Sequence, residues 1–435
     1  MKKLLFAIFA FATASGAVAQ NRLFTSEGAE APRRQLRPFA TVDEAAADVR
    51  EPSRYIVPLT EWTREERDGT VRFTAEFVYP AAWLNRQILL RTESASSGFG
   101  VEVEGVSGGH VTNGAVPAEF NITRLAQPGI NRVTVVLDSR QSNEPLLRDG
   151  VAWLGRTEIV CQPTIRIRDF DTRTTLNDSG NGVFEVAIAV KSDALNDKRA
   201  RISYELSDSV NLIAAGYKDV VLSMRGEDTV RFVTIVPDSL LWSPEHPSLL
   251  RLTLRNRIDG RYAENMVVPV GVREVKYADN RLIVNGRPVS MKVRSVLPNI
   301  SVEELRQMKE RGFDGVTVEA GDAVAGLCEA CDSAGVYVIA QLAADTSNGG
   351  RSIKRGGNAS NDPSLTAEFR SRTASMFHTV KSHPSVVAYS LGNGITNGIN
   401  PYESYLLLKR LDSARPIIYN GAGKEWNNDT FEMRN

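Results

Sequence analysis

Residues 383–398, HPSVVAYSLGNGITNG, gather the side chains whose types and spacing best suit chemistry. Val386, Val387, Ala388, Tyr389 and Leu391 form a short apolar run punctuated by Pro384 and Gly392. Such a run suits a parallel strand covered on both faces. Asn393, Gly394, Thr396 and Asn397 follow at its carboxyl end, which in a βα barrel is the end where reacting groups sit. Carboxylates that could do acid–base work stand beyond neighbouring strand ends at Glu319, Asp345 and Glu425, although each reads more simply as a solvated loop or cap residue. Cys328 and Cys331 have the spacing of a redox or metal pair, but they sit in a helical pattern with no second pair and no histidine nearby. They read as small buried hydrophobes. The four histidines are scattered without metal-ligand spacing, so no metal and no cofactor is expected.

These candidates need a scaffold, and the composition supplies one. The 435 residues suffice for about three domains, and 42% hydrophobic with 24% charged is ordinary for a globular chain. Lys+Arg and Asp+Glu are equal at 52 each, which leaves no field to draw nucleic acid or anionic lipid. Lys2 and Lys3, an apolar stretch and the Ala17-Val18-Ala19 site read as a signal peptide over residues 1–19. An exported protein, periplasmic or secreted from a bacterium, is therefore expected, with no membrane span. Three cysteines argue against a disulfide framework.

Residues 20–50 read as a polar, Arg-rich lead-in of low order. From 51 to 160 the pattern alternates with period two, as in Val71, Phe73, Ala75 and Phe77, and Gly, Asn and Ser clusters divide it into the short strands of a β-sandwich. Residues 161–275 form a second β block of about the size of an immunoglobulin-like sandwich. Trp242 is expected to cap it, with Pro244 and Pro247 holding an extended corner. Asn285-Gly286 between apolar runs signals a type I′ hairpin. The period then changes. Ser301 with Glu304 makes a capping box, Gly312 and Gly335 end helices, and strands alternate with helices through 276–435. That alternation means a parallel sheet with right-handed crossovers, counted as five strands.

The series of motifs resembles glycoside hydrolase family 2. Trp83-Leu84 followed by Phe120-Asn121-Ile122-Thr123 and Gly129-Ile130-Asn131 is similar to the family's jelly-roll, galactose-binding-like domain. Leu241-Trp242-Ser243-Pro244-Glu245 and Val270-Gly271-Val272-Arg273 resemble the close of its immunoglobulin-like sandwich, and Asn285-Gly286 the hairpin before its barrel. His383-Pro384-Ser385 with Leu391-Gly392-Asn393 matches its acid/base strand. The resemblance implies a multidomain β plus α/β chain: jelly roll, immunoglobulin-like sandwich, then a TIM-type barrel. It also implies retaining β-glycosidase chemistry, in which two carboxylates about 5–5.5 Å apart act as acid/base and nucleophile.

The chain departs from that pattern where the chemistry should be. The acid/base Glu of the family follows the Asn of this motif, and here that position is Gly394, which has no proton to give. Thr317 and Ala320 stand where the family's second strand carries Arg and His, and Gln341 where its third carries a carboxylate. The nucleophile strand is not reached. Asn393 would hydrogen-bond the sugar beside the scissile bond, or simply form a turn; Trp426 would stack on a sugar face, or cover a barrel edge.

A full barrel takes about 250 residues, so 276–435 is expected to be partial, with an open edge and an unfilled interior. Truncation, dimerisation and a second polypeptide that completes the barrel all remain open. Two functions are therefore carried forward: a family 2 glycosidase scaffold that is impaired or inactive, and a non-catalytic exported carbohydrate-binding or assembly protein.

Overall fold

The computed structural model describes residues 26–47, 53–138, 152–321, 324–344, 354–392, 395–423 and 425–434. Two antiparallel β-sandwiches lead into a partial parallel barrel, the multidomain β plus α/β class that the sequence implies.

The first sandwich packs a six-stranded sheet on a four-stranded one. Its strand Thr70–Tyr79 shows why the period-two pattern forms it. Val71, Phe73, Ala75, Phe77 and Tyr79 face inward and are buried, while the alternate positions are more exposed. The Asn121–Thr123 turn closes the core by hydrogen bonding, with the Ile88 amide donating to Thr123 Oγ1 at 2.9 Å.

The second sandwich packs the three strands Ile165–Leu176, Gly182–Ser192 and Glu227–Val236 on a four-stranded sheet. A buried ionic cluster joins the two sandwiches. Glu119 receives Arg91 Nε, and Arg166 and Arg168 lie 3.2 and 3.4 Å from it. Burial would raise the Glu119 pKa, but Arg91, Arg168 and Arg166 together hold it well below the usual carboxylate range. Asp169 is also held low: burial opposes, and Lys381 and His378 prevail. Because both folded pKa values lie below the unfolded ones, their stabilisation is complete above about pH 5 and fades as pH falls. Urea midpoints measured from pH 7 to pH 3 should drop steeply. Glu119→Gln should lower the midpoint at pH 7 and flatten the acid limb; an unchanged acid slope would refute this role.

The lead-in is not loosely ordered over the described residues, contrary to its composition. Ser26–Glu27 adds a strand to the first sandwich, and Leu36 and Phe39 are buried. Its polar groups find partners: Arg37 lies 3.3 Å from Glu158, and the Phe39 and Asn265 backbones exchange hydrogen bonds at 2.9 Å. An Arg-rich string reads as solvated until carboxylates from other elements surround it.

A three-stranded meander, Val275–Ala278, Arg281–Val284 and Arg287–Val289, crosses beneath the barrel. Asn285 and Gly286 both take positive φ (49° and 74°), as the I′ turn demands. The barrel unit then runs β1 (Met291–Ser295), α1 (Val302–Glu310), β2 (Gly315–Ala320), α2 (Val324–Ala334), β3 (Tyr337–Leu342), α3 (Thr366–Val380), β4 (Val386–Ser390), α4 (Ile399–Leu411) and β5 (Ile417–Ile418). The predicted capping box opens α1, with both Ser301 and Glu304 bonds formed. At Gly335 φ is 66°, and a Cβ would lie 2.3 Å from the Pro244 carbonyl oxygen, so only glycine fits.

A sixth short strand escapes the sequence reading. β6 (Met433–Arg434) pairs in parallel with β1, giving the sheet order β5-β4-β3-β2-β1-β6. The segment leading to it straps the half-barrel from edge to edge. At β5, the Asp429 amide donates to the Ile417 carbonyl and the Ile417 amide to Asp429 Oδ2, each at 2.8 Å. Phe431 then enters the cluster of Met291, Tyr337, Ile339, Ala388 and Ile418. Among the described residues, the lower interior is thus filled, and the strap covers the start of β1 and leaves β6 as the sheet's edge, where an unfilled interior was expected.

Trp242 also lands elsewhere than expected. It is fully buried in that same barrel-side cluster, beyond the end of its own sandwich. Its indole N–H donates to the Asp332 carbonyl at 2.9 Å, and its ring meets Tyr337 edge-on at 6.0 Å.

Candidate functional site

The barrel strands set an alternation that decides which side chains can form a site. Val316, Val318 and Ala320 of β2 pack on the helix-side core with Val338, Ala340 and Leu342 of β3. The alternate positions Thr317, Glu319 and Gln341 therefore line the concave face. Glu319 sits opposite Gln341, Gln341 opposite Ser390, and Thr317 opposite Ser295. Glu319 is exposed, Thr317 and Gln341 are partly so, and Ser390 is buried. This upper lane is polar, whereas Met291, Tyr337 and Ile418 below it are apolar. Among the described strand residues on this face, Glu319 is the one carboxylate. Ala320, the other departure noted in the second strand, faces the helices and lines no site.

Asn393 and Gly394 lie outside the described residues, as does Asp345. The loops that follow β4 and β5 are described farther along, and they meet. Asn397 accepts a hydrogen bond from Asn427 Nδ2 at 3.3 Å. Trp426 is 58% exposed, large for an indole, and is held edge-on by Tyr402 and Tyr405 of α4 at 5.2 and 5.7 Å. Asn361, Asn397, Tyr402, Glu425, Trp426 and Asn427 line a shallow depression at this carboxyl end of the sheet. An exposed aromatic face ringed by amides and a carboxylate can stack on an apolar ring face and hydrogen-bond hydroxyls.

Sequence reasoning named Trp426, as a sugar platform or an edge cover, without its neighbours Tyr402 and Tyr405. The i, i+3 spacing of Tyr402 and Tyr405 was the available signal, since it puts both rings on one helix face.

The His383-Pro384-Ser385 signature is a lock beneath the strand. Asp332 Oδ2 lies 2.6 Å from His383 Nδ1, and Asp332 Oδ1 accepts the Ser385 amide at 2.9 Å. From the second sandwich, the buried Arg273 guanidinium donates to the carbonyls of Pro384, His383 and Val386. Gly271 lets that strand approach, because a Cβ there would lie 2.5 Å from the Pro384 side chain. These contacts fix where β4 begins, and hence where its carboxyl end delivers the loop.

Cys328 and Cys331 are buried, free thiols on α2. Burial raises both above the ordinary thiol range, so neither is a nucleophile at neutral pH. No three His, Cys, Asp or Glu side chains cluster as a metal site among the described residues. No helix there is long and apolar enough to cross a membrane.

Comparison with known proteins agrees with this architecture. Residues 165–273 match the model of glycosyl hydrolases family 2, and residues 302–433 match its TIM barrel domain. The chain is 26% identical over 378 residues to a β-galactosidase of Psychromonas ingrahamii, a match covering 81% of this chain and 36% of that protein. It is 25% identical over 401 residues to a β-galactosidase of Yersinia pestis, covering 85% and 38%. The chain thus spans little more than a third of the length of these relatives. Among solved structures, a Bacteroides uniformis β-glucuronidase 2 superposes with a TM-score of 0.68 at 17% identity, over 94% of this chain and 55% of that one. A β-galacturonidase of Eisenbergiella tayi gives 0.66 at 18% identity, over 81% and 63%. Two family models that follow one another along the barrel and the second sandwich, on a fold shared with these enzymes, place the chain in glycoside hydrolase family 2.

Proposed function

We propose that this polypeptide is an exported β-glycosidase scaffold that engages β-glycosides but does not, as it stands, hydrolyse them. The observation that carries the reading is the shortage of carboxylates where the chemistry needs two. Gly394 occupies the position that follows Asn393, and on the concave face Glu319 has neutral neighbours in Thr317, Gln341 and Ser390. A retaining mechanism requires an acid/base and a nucleophile about 5–5.5 Å apart, and the described carboxylates at this end, Glu319 on β2 and Glu425 beyond β5, are separated by the two strands β3 and β4. The purified protein should give no turnover of nitrophenyl β-galactoside or β-glucuronide above background, and Gly394→Glu alone should restore none. Turnover that co-purifies with the protein through several columns would sink the proposal.

The non-catalytic reading has its own support in the exposed Trp426. Under it, saccharide binding measured by calorimetry should weaken about five- to tenfold in Trp426→Ala, the scale of one aromatic contact. Undiminished binding would remove Trp426 from the site. Further strands, whether from a second copy or another polypeptide, could add at the start of β1 only by displacing the strap that ends in β6.

A further inference from the structure

The second sandwich and the barrel helices enclose a cleft of about 430 Å³ that the concave face does not use. It lies at the amino ends of the strands, where Pro384 precedes β4 and Arg415 precedes β5. One wall is the outer face of the three-stranded sheet, with Asp171, Arg173, Glu185 and Arg231. The other is the carboxyl ends of α3 and α4, with Lys381 and Arg410. The lining is cationic in excess: Arg173, Arg231, Arg273, Lys381, Arg410 and Arg415 stand against Asp171, Glu185 and Asp412.

Most of these cations are committed. Lys381 Nζ lies 2.6 Å from both Asp169 and Asp171, Arg415 lies 2.7 Å from Asp412, and Arg231 lies 3.4 Å from Glu185. Arg273 is spent on main-chain carbonyls. Two are not. Arg173, on the sandwich wall, and Arg410, on the helix wall, have no carboxylate within salt-bridge distance among the described residues. Arg410 makes one main-chain hydrogen bond, from Nε to the Leu406 carbonyl at 3.3 Å, which leaves its two terminal nitrogens for a ligand. His378 lines the same cleft, with its Nδ1 turned to Asp169 Oδ2 at 3.4 Å. The bonds of Lys381 and Arg273 across the junction hold both walls in place.

A free guanidinium presents a planar fork that fits a carboxylate, sulfate or phosphate in two hydrogen bonds. A volume of this size falls in the range of small-ligand sites, about 300–1,000 Å³. We infer that this junction cleft binds an oxyanion group, held between Arg173 and Arg410, with room for a small carrier of that group.

The test is calorimetry on the full chain at low salt with inorganic sulfate, inorganic phosphate, trigalacturonate and, as the neutral control, maltotriose. At least one of the first three should bind, weaken as salt rises, and lose about five- to tenfold in affinity in both Arg173→Gln and Arg410→Gln, the scale of a charge-assisted pair. Arg306→Gln, an exposed charge on α1, should leave binding unchanged, and all three variants should keep the wild-type melting temperature. Tighter binding of trigalacturonate than of the inorganic ions assigns a saccharide carrier, and the reverse assigns a free anion. The site is overturned if no anion binds, if maltotriose binds as well as trigalacturonate, or if the two arginine variants bind like Arg306→Gln.

Discussion

Trp242→Ala should destabilise the barrel unit by about 3–5 kcal/mol, the range for truncating a large buried aromatic. The indole stands where three elements meet. It shares one buried cluster with Val275 and Leu282 of the meander and with Met291 and Tyr337 of the barrel, and its ring meets that of Tyr337. Its backbone amide donates to Val272 at 2.8 Å, and its carbonyl accepts Asn285 Nδ2 at 3.0 Å. Removing the ring leaves a cavity that none of these elements can fill without moving the other two. It also strips the Asp332 carbonyl of its donor. Trp242→Phe should cost less, because most of the volume stays and one hydrogen bond goes, worth about 1 kcal/mol. The check is urea unfolding followed by hydrogen exchange of β1 and β3 amides, so that loss of the barrel is separated from loss of the sandwiches. If Trp242→Ala unfolds within about 1 kcal/mol of the wild type, the junction is not held this way.

Asp332→Ala should be comparably severe. Asp332 is 4% exposed and serves His383 Nδ1 and the Ser385 amide with its two oxygens. Removing Asp332 leaves the buried His383 Nδ1 and the Ser385 amide without their partner, and each such unsatisfied group costs about 1–3 kcal/mol. The consequence should be positional as well as energetic. The Ser385 carbonyl accepts the Val338 amide at 2.8 Å, so a loosened turn frees the start of β4 from β3. Hydrogen exchange at Val338 should accelerate more than at Ile417 on the far edge. Asp332→Asn should recover part of the loss, since it keeps the acceptor for Ser385. Equal exchange at both amides in Asp332→Ala would show that the turn does not depend on this carboxylate.

Asp332 and Arg273 together show what holds the signature in place. His383, Pro384 and Ser385 are engaged by Asp332 from below and by Arg273 from the second sandwich. They place the strand whether or not a proton donor follows it. Their presence identifies the scaffold, and Gly394 speaks separately to the reaction.

Much of the scaffold was legible in the sequence because it is local. Period-two alternation places Val71 to Tyr79 on one face, Asn285-Gly286 dictates its own turn, and Ser301 with Glu304 caps its own helix. Each feature depends on neighbours a few residues away, and backbone sterics or nearby hydrogen bonds enforce it. The departures at Gly394, Thr317 and Gln341 were also read from the chain alone, since residue type is all they require. Tertiary structure decided what depends on distant partners. Trp242 joins the meander and barrel cluster rather than the core of its own sandwich, because those partners come together only in the folded chain. The lead-in became ordered because Glu158 and Asn265 came to meet it. The strap from Asp429 to Arg434 has weak local propensity, and it forms because the edges of β5 and β1 offer unpaired backbone groups. The concave lane of Thr317, Glu319 and Gln341 and the free pair Arg173 and Arg410 exist only once strands from different parts of the chain are placed side by side.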